Sequence, residues 1–217
     1  IKAGEQDVTG NYDVSTEEGT LKITKADIAK YVELTPEDAS KVYDGTPLEA
    51  GVAIATGTAA DTGEKALKVE YSVNGTDWTE DPSEITATEV QDSTTVQIRV
   101  SGPNYKDMLT GTEELEITQR PLLITGHGWS VEQPYTGEAY TSEEYDVEKF
   151  NEEGESGLVA GQEVTGLSYL ITGTNAGEYK GAFSGEAVIK AGEQDVTGNY
   201  KAVSYTHSEP TRQEAIS

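Results

Sequence analysis

The side chains that could do chemistry in this chain are one histidine and a run of carboxylates that follows it. They define a candidate binding surface made of His127, Trp129, Glu143, Glu144 and Asp146. Imidazole and carboxylate groups can hold a cation or a polar ligand, and an aromatic ring adds a flat apolar contact. No Asp-x-Asp-x-Asp run accompanies these carboxylates. The sequence therefore predicts no metal or cofactor site, and Ca²⁺ binding stays open as an alternative.

A catalytic site would need further groups, and the sequence does not supply them. His127 has no serine, cysteine or second histidine at a spacing that would build a nucleophilic site. The 40 acidic residues make carboxylate pairs easy to find, but a glycosidase pair also requires a cleft in which burial raises one pKa. We therefore predict that the protein is not an enzyme, and we assign no catalytic, cofactor-binding or metal-binding residue.

Composition argues against several other classes of protein. The chain has 15 Lys and Arg against 40 Asp and Glu, a formal net charge of −25, and such a surface repels the phosphate backbone of nucleic acids. No apolar run approaches the roughly 20 residues that cross a bilayer, so we predict no membrane segment. The absence of cysteine excludes a disulfide-stapled scaffold.

Internal repeats indicate how the chain is organised. The stretch IKAGEQDVTGNY occurs at residues 1–12 and again, unchanged, 188 residues later at 189–200. The pattern Leu-x-Ile-Thr closes two strand-like runs, at residues 21–24 and 115–118, which are 94 residues apart. Because one offset is twice the other, the sequence predicts tandem modules of about 94 residues.

Module boundaries follow from these offsets. Residues 1–24 are predicted to be the C-terminal tail of a preceding module, residues 25–120 a complete module, and residues 121–202 a second module that lacks its last strand. Residues 203–217 resemble a translated sequencing adapter, and we interpret them as a non-native tail, with a genuine polar C-terminus as the alternative. We expect the two modules to have separate cores and a narrow junction near residues 119–126.

Apolar and polar residues alternate with a period of two along most of the chain, which is typical of half-buried antiparallel strands. After one such run, residues 67–73, Asn74-Gly75 predicts a tight type I′ hairpin, with Trp78 on the return strand covering the apolar face. Residues 142–153 are predicted to form an acidic loop with some helical turns. Short strands separated by Gly, Pro and Asn turns predict an all-β fold of antiparallel β-sandwich modules.

The order of several short motifs resembles a known family. The motifs are KVYDGTPL at 41–48, VEYSVNGTDWTE at 69–80, VQIRVSGPNY at 96–105 and LEITQR at 115–120. They are similar to the YDG/MBG-type repeats, immunoglobulin-like modules of large surface proteins of Gram-positive-like bacteria. The second module departs from the pattern, because Tyr135-Thr136-Gly137 stands in place of Tyr-Asp-Gly.

This resemblance implies tandem immunoglobulin-like modules in an extracellular, cell-surface protein. It implies a non-catalytic stalk or spacer whose partners are the neighbouring modules of the same polypeptide, and beyond them the cell wall or a host glycan or protein. An adhesive module that recognises a glycan, a host matrix protein or Ca²⁺ is the alternative. An isopeptide crosslink, for example between Lys190 and Asn199, also stays open.

Overall fold

The computed structural model describes residues 1–127 and 132–204, and in these ranges the chain is all-β, which confirms the predicted fold class. Helical structure there is limited to single 3₁₀ turns, and no helix in these ranges is long and apolar enough to cross a membrane. The strands of the first part of the chain are β1 (Lys2–Ala3), β2 (Gln6–Asp7), β3 (Glu33–Thr35), β4 (Ala39–Val42), β5 (Leu48–Glu49), β6 (Ile54–Thr56), β7 (Lys68–Ser72), β8 (Thr86–Ala87), β9 (Thr94–Ser101) and β10 (Leu109–Thr118). Those of the second part are β11 (Arg120–Gly126), β12 (Tyr140–Ser142), β13 (Tyr145–Val147), β14 (Gln162–Gly173), β15 (Ala182–Ala191), β16 (Gln194–Asp195) and β17 (Tyr200–Ser204).

The first half of the chain, residues 25–118, is built around a four-stranded sheet in the order β4-β10-β9-β7. β10 is antiparallel to β9 and parallel to β4, while β3 pairs with β6 and β5 with β8 in two short ladders. In β9, Val96, Ile98 and Val100 are buried. Successive strand residues point to opposite faces of a sheet, so the period of two in the sequence sends these side chains into the core.

The second half, residues 120–204, contains two sheets, β13-β11-β17 and β12-β14-β15-β16. β11 follows β10 with only Gln119 between them, and it runs parallel to β17 with Arg120 opposite Tyr200. The first half begins in a similar way, because an isolated parallel bridge joins Ala26 to Tyr105. In each half, the first extended segment therefore forms a parallel pair that begins at the tyrosine of an Asn-Tyr sequence.

Most of the buried hydrophobic residues, from both halves, form one continuous cluster, and a smaller cluster of Ile28, Val32, Val100 and Tyr105 lies in the first half. The larger cluster differs from the expected separate cores and narrow junction. Tyr43 of the first half packs edge to face on Tyr200 of the second, with ring centroids 5.5 Å apart and ring planes at 78°. The sheets remain separate, but a single residue between β10 and β11 leaves no linker to hold the halves apart.

The loop at Asn74-Gly75 is not the predicted type I′ hairpin. Gly75 has a φ of +73°, but Asn74 does not have a positive φ, and a type I′ turn requires both. The side-chain oxygen of Asn74 instead accepts hydrogen bonds from the backbone N–H groups of Thr76 and Asp77, which builds a longer loop. Trp78 then lies over the face of β9 opposite to its buried Val and Ile side chains, so the prediction that it covers the apolar face was wrong.

The acidic segment 142–153 contains a strand where the sequence predicted a loop with helical turns. β13 pairs antiparallel to β11, and isolated bridges close the chain behind it. This pairing turns Tyr145 and Val147 toward the hydrophobic cluster and leaves the carboxylate of Asp146, between them, in solvent. The correction arises because β11 offers a partner strand from elsewhere in the sequence, which local composition does not reveal.

The repeated twelve residues adopt the same local structure in both places and meet different surroundings. The N–H of Val8 donates to the carbonyl oxygen of Ile1, and the N–H of Val196 donates to that of Ile189, at 2.9 Å in both copies. Backbone angles at Val8 and Val196 agree within one degree. Ile189 and Val196 are buried in the core, whereas Ile1 is exposed.

The two Tyr-x-Gly turns also share their local geometry and differ in burial. Gly45 has a φ of +80° and Gly137 a φ of +81°, a region in which only glycine is free of strain. Tyr43 is 3% exposed, whereas Tyr135 is 70% exposed. In the first half, the N–H of Tyr43 donates to the carbonyl oxygen of Thr118 at the end of β10. Residues 132–136 are in no strand, so Tyr135 has no equivalent cover among the described residues.

Candidate functional site

The ladder between β11 and β13 brings three of the five predicted surface residues together. Gly126 is opposite Tyr145 in the last pair of the ladder, so His127 and Glu144 lie next to each other just beyond it. The His127 N–H donates to the Glu144 carbonyl oxygen at 2.8 Å, and ring Nδ1 lies 3.2 Å from Glu144 Oε2. Ring Nε2 contacts the carboxylate of Asp146. All three side chains are exposed to solvent.

The other two predicted surface residues do not join this cluster. Glu143 is exposed and takes no part in the hydrogen bonds of His127, and Trp129 lies outside the described residues. Within residues 1–127 and 132–204, no three or more His, Asp or Glu side chains are placed to hold a metal ion. The geometry of the cluster is that of a surface ion pair, whose contribution to stability is small.

The pKa of His127 should report this ion pair. Hydrogen bonds to Asp146 and then to Glu144 raise the pKa of His127 above its ordinary value. Because the folded state binds the proton more tightly, the pair stabilises the fold below the ordinary histidine pKa, and this is lost as pH rises through the raised pKa. We expect Asp146→Asn to lower the His127 pKa in an NMR titration, while Glu143→Gln leaves it unchanged. An unchanged pKa in Asp146→Asn would contradict the observed contact.

A second site, at the junction of the two halves, is built around a buried arginine. Arg120 is the first residue of β11, and its side chain is buried without a carboxylate partner among its hydrogen bonds. The guanidinium donates to backbone carbonyl oxygens at 2.6 to 3.2 Å, those of Tyr43, Asn151, Ser156 and Gly157. It also lies 4.1 Å from the ring centroid of Phe150. Arg120 thereby ties the turn at Tyr43 to the loop at 150–157.

The side-chain amide of Gln162 links the two tyrosines that pack together beside Arg120, Tyr43 and Tyr200. The Gln162 Nε2 donates to the Tyr43 hydroxyl at 2.8 Å, and the Tyr200 hydroxyl donates to Gln162 Oε1 at 2.5 Å. Val159 donates its N–H to the Tyr200 hydroxyl at 3.1 Å. Burial raises the pKa of Tyr200 to about 12, so the phenol stays neutral and can keep donating.

Further hydrogen bonds cross the junction on its outer side. The buried side chain of Asn199 accepts from the Val90 N–H at 2.8 Å, and the Gln194 Nε2 donates to Glu89 at 2.5 Å. Asn199 therefore anchors the repeated hairpin to the first half. These polar contacts were not predicted, because they join residues more than one hundred positions apart.

The sequence analysis also missed Glu113, whose carboxyl group lies inside the first half. Glu113 on β10 is buried, and among the described residues neither of its side-chain oxygens has a hydrogen-bond partner. Burial is the main cause that raises its pKa to about 7; the backbone of Glu37 partly offsets the rise, and the charges of Asp38 and Glu37 add to it. The signal was present in the sequence: Glu113, Leu115 and Ile117 share one parity in a strand, so the alternation that predicts the core also places this carboxyl there.

The outer face of the first sheet carries shallow grooves. One is lined by Lys25, Lys68, Tyr105, Lys106 and Met108 among others, so three of the chain's few cations lie around it. A second groove beside it includes Trp78, whose ring packs against the Arg99 guanidinium at 4.1 Å. Arg99 is itself paired with the carboxylate of Glu70. These grooves offer aromatic and polar side chains to a ligand.

Comparison with known proteins gave no match: neither a family model, nor a curated protein, nor a solved structure is significantly similar to this chain.

Proposed function

We propose that this chain is a structural spacer, a pair of tandem β-sandwich modules with no catalytic role in an extracellular bacterial surface protein. The observation that carries the proposal is the junction, where β10 leads into β11 through one residue and Tyr43, Gln162 and Tyr200 interlock. A spacer must keep its two ends at a constant separation. A contiguous core with buried hydrogen bonds across it resists hinge motion.

The sequence resemblance supports the cellular setting of this proposal. Repetition of one local structure at residues 1–12 and 189–200 is what a string of equivalent modules requires. The net charge of −25 favours an extended and soluble string by self-repulsion. Neighbouring modules of the same polypeptide are then the immediate partners, and the cell surface is the location.

Double electron–electron resonance, which measures the distance between two spin labels, tests the rigidity that a spacer needs. The natural sequence has no cysteine, so Glu64→Cys and Glu178→Cys place two unique spin labels, one on each half. We expect a narrow distance distribution that broadens in Tyr200→Ala, because this substitution empties the contact with Tyr43. Tyr12→Ala changes the same residue in the exposed copy of the repeat and should leave the distribution narrow. A broad distribution in the parent protein would reject the spacer.

An adhesive module is the second candidate, and the groove beside Trp78 is the observation that favours it. An indole ring next to polar side chains resembles a surface on which a sugar can stack. A glycan array discriminates between the two functions. Specific hits that disappear in Trp78→Ala would favour adhesion, whereas a rigid protein without hits would favour the spacer.

A further inference from the structure

The loop that follows β7 contains the one Asn-Gly pair of the chain, Asn74-Gly75. The other asparagines are followed by tyrosine, glutamate or alanine. The side-chain amide of an asparagine can be attacked by the backbone nitrogen of the next residue, and glycine leaves that nitrogen unshielded because it has no Cβ. Gly75 has a φ of +73°, a conformation that other residues rarely adopt. This pair therefore combines an amide with an accessible nucleophile.

Four hydrogen bonds converge on the side-chain oxygen of Asn74. It accepts from the backbone N–H groups of Thr76 and Asp77 and from the Thr76 hydroxyl, each at 2.9 Å. The hydroxyl of Ser72 donates the fourth, at 3.2 Å. A carbonyl oxygen has only two lone pairs, and a ring of donors stabilises negative charge that develops on it. Among the described residues, no other asparagine side-chain oxygen accepts from more than one donor.

The hydroxyl of Ser72 also contacts the nucleophile. The Gly75 N–H donates to Ser72 Oγ at 2.9 Å, so one hydroxyl accepts from the attacking nitrogen and donates to the oxygen of the amide that is attacked. Ser72 is 2% exposed, so water does not compete for these two hydrogen bonds. Asn74 Nδ2 donates to the carboxylate of Asp77 at 2.7 Å, which holds the amide nitrogen in place. The loop thus supplies both orientation and a path for the proton.

We propose that Asn74 is a self-modifying site, at which the folded protein converts its own asparagine to a succinimide. The Gly75 nitrogen is the nucleophile, Ser72 is the proton relay, and ammonia is the leaving group. The N–H groups of Thr76 and Asp77 stabilise the charge that develops on the Asn74 oxygen, as an oxyanion hole does. The carboxylate of Asp77 positions the leaving nitrogen. The chemistry is independent of the spacer and adhesive functions.

Atoms and charges balance over two steps. In the first, the bond from the Gly75 nitrogen to Asn74 Cγ forms, the Gly75 proton moves to Ser72 Oγ, and the Ser72 hydroxyl proton moves to Asn74 Oδ1. The neutral adduct collapses when the proton on Oδ1 passes through solvent to Nδ2, and the Cγ–Nδ2 bond breaks with its electron pair to release ammonia. In the second step, water opens the succinimide at either carbonyl carbon and leaves aspartate or isoaspartate at position 74. One water is consumed for each ammonia released, and no atom is oxidised or reduced.

The product changes the loop that carries Trp78. Before the reaction, Asn74 Nδ2 donates to Asp77, and Trp78 Nε1 donates to the Gly75 carbonyl oxygen at 3.1 Å. Hydrolysis replaces the amide donor by a second carboxylate beside Asp77, so a hydrogen bond gives way to repulsion between like charges. The isoaspartate product also adds a methylene group to the main chain at this point. The groove beside Trp78 therefore changes in shape and charge as the protein ages.

Peptide mapping by mass spectrometry of the full chain, kept folded near neutral pH or unfolded in urea, tests the proposal. Asn74→Asp supplies the chromatographic standard for the aspartate product. We expect the folded parent to lose Asn74 about tenfold faster than the unfolded chain, because only the fold aligns the nucleophile with the relay. Asn11 and Asn175 are also exposed but are not followed by glycine, so they should stay intact over the same period as internal controls.

Two serine variants test the relay. Ser72→Ala should lower the rate in the folded protein about tenfold, to that of the unfolded chain. Ser83→Ala removes an exposed hydroxyl from the next loop, where it donates to Asp81, and should leave the rate unchanged. Because the relay moves two protons, D₂O should slow the folded parent by a larger factor than it slows the unfolded chain. Ser72→Ala should lose this excess isotope effect.

Three results would overturn the proposal. The first is a folded parent that reacts no faster than the unfolded chain, and the second is a Ser72→Ala variant that matches the parent. The third is a Ser72→Ala variant that is slower but keeps the excess isotope effect, since the substitution would then act by deforming the loop.

Discussion

Replacing Arg120 with alanine is expected to lower the free energy of unfolding by about 4 kcal/mol, a large fraction of the stability of a typical domain. The substitution leaves the buried carbonyl oxygens of Tyr43 and Gly157 without a donor. Those of Asn151 and Ser156 keep only the backbone hydrogen bonds that these two residues exchange. Each unsatisfied buried acceptor costs about 1–3 kcal/mol, and the contact with Phe150 is lost as well. Chemical denaturation followed by circular dichroism measures the change.

Two further variants separate the geometry of Arg120 from its charge. Arg120→Lys keeps the charge but replaces a planar fork of five donors by one ammonium group. This variant should therefore lose most of the stabilisation that Arg120 provides. Lys201→Ala removes a positive charge from the neighbouring strand β17, where the side chain is exposed, and should change stability by less than about 0.5 kcal/mol. Equal effects of Arg120→Ala and Lys201→Ala would show that the net charge, and not the hydrogen bonds to the carbonyl oxygens, accounts for the change in stability.

Glu113→Gln is expected to stabilise the protein at pH 8 by about 3 kcal/mol and to have little effect at pH 4. Burial raises the pKa of Glu113 from 4.5 to about 7, so the folded state holds its proton more tightly than the unfolded state does. The parent protein therefore has its full stability below pH 4.5 with respect to this group, and it loses stability as pH rises to about 7. The neutral amide removes this dependence.

The control for Glu113→Gln lies on the same strand. Glu116 has the opposite parity on β10 and is exposed, so Glu116→Gln should leave the pH dependence of stability unchanged. Denaturation midpoints at several pH values give the comparison. If Glu113→Gln followed the parent at every pH, the carboxyl would have to be solvated or paired in the folded protein.

Local sequence was sufficient for local structure. Identical residues at 1–12 and 189–200 build the same hairpin with nearly the same backbone angles, and the glycines of both Tyr-x-Gly turns agree in φ within one degree. The hydrogen bonds that hold these pieces join residues a few positions apart. The alternation in β9 likewise placed Val96, Ile98 and Val100 in the core. Such features depend on neighbouring residues alone, so the sequence reveals them.

Side-chain parity also indicates the burial of Glu113, which the choice of candidate residues by chemical type left out. Glu113 falls on the buried side of β10 by position, and only its polar type argued against the core. By contrast, the residues near Asn74-Gly75 do not indicate which loop forms. The Asn74 side chain accepts hydrogen bonds from the following N–H groups, and a type I′ turn does not form. The five predicted surface residues were chosen by chemical type, and pairing of β11 with β13 decided that His127 meets Glu144 and Asp146.

The sequence by itself determined the alternation of β9, the Tyr-x-Gly turns and the repeated hairpin, and the tertiary structure alone decided which copies are buried. Ile189 is in the core and Ile1 is in solvent, although their neighbours along the chain are the same. Tyr43 is covered by β10 and Tyr200, while Tyr135 has no strand beside it among the described residues. The physical reason is that backbone conformation follows from interactions over a few residues. Burial follows from which distant strand lies across the sheet, and that is a property of the whole fold.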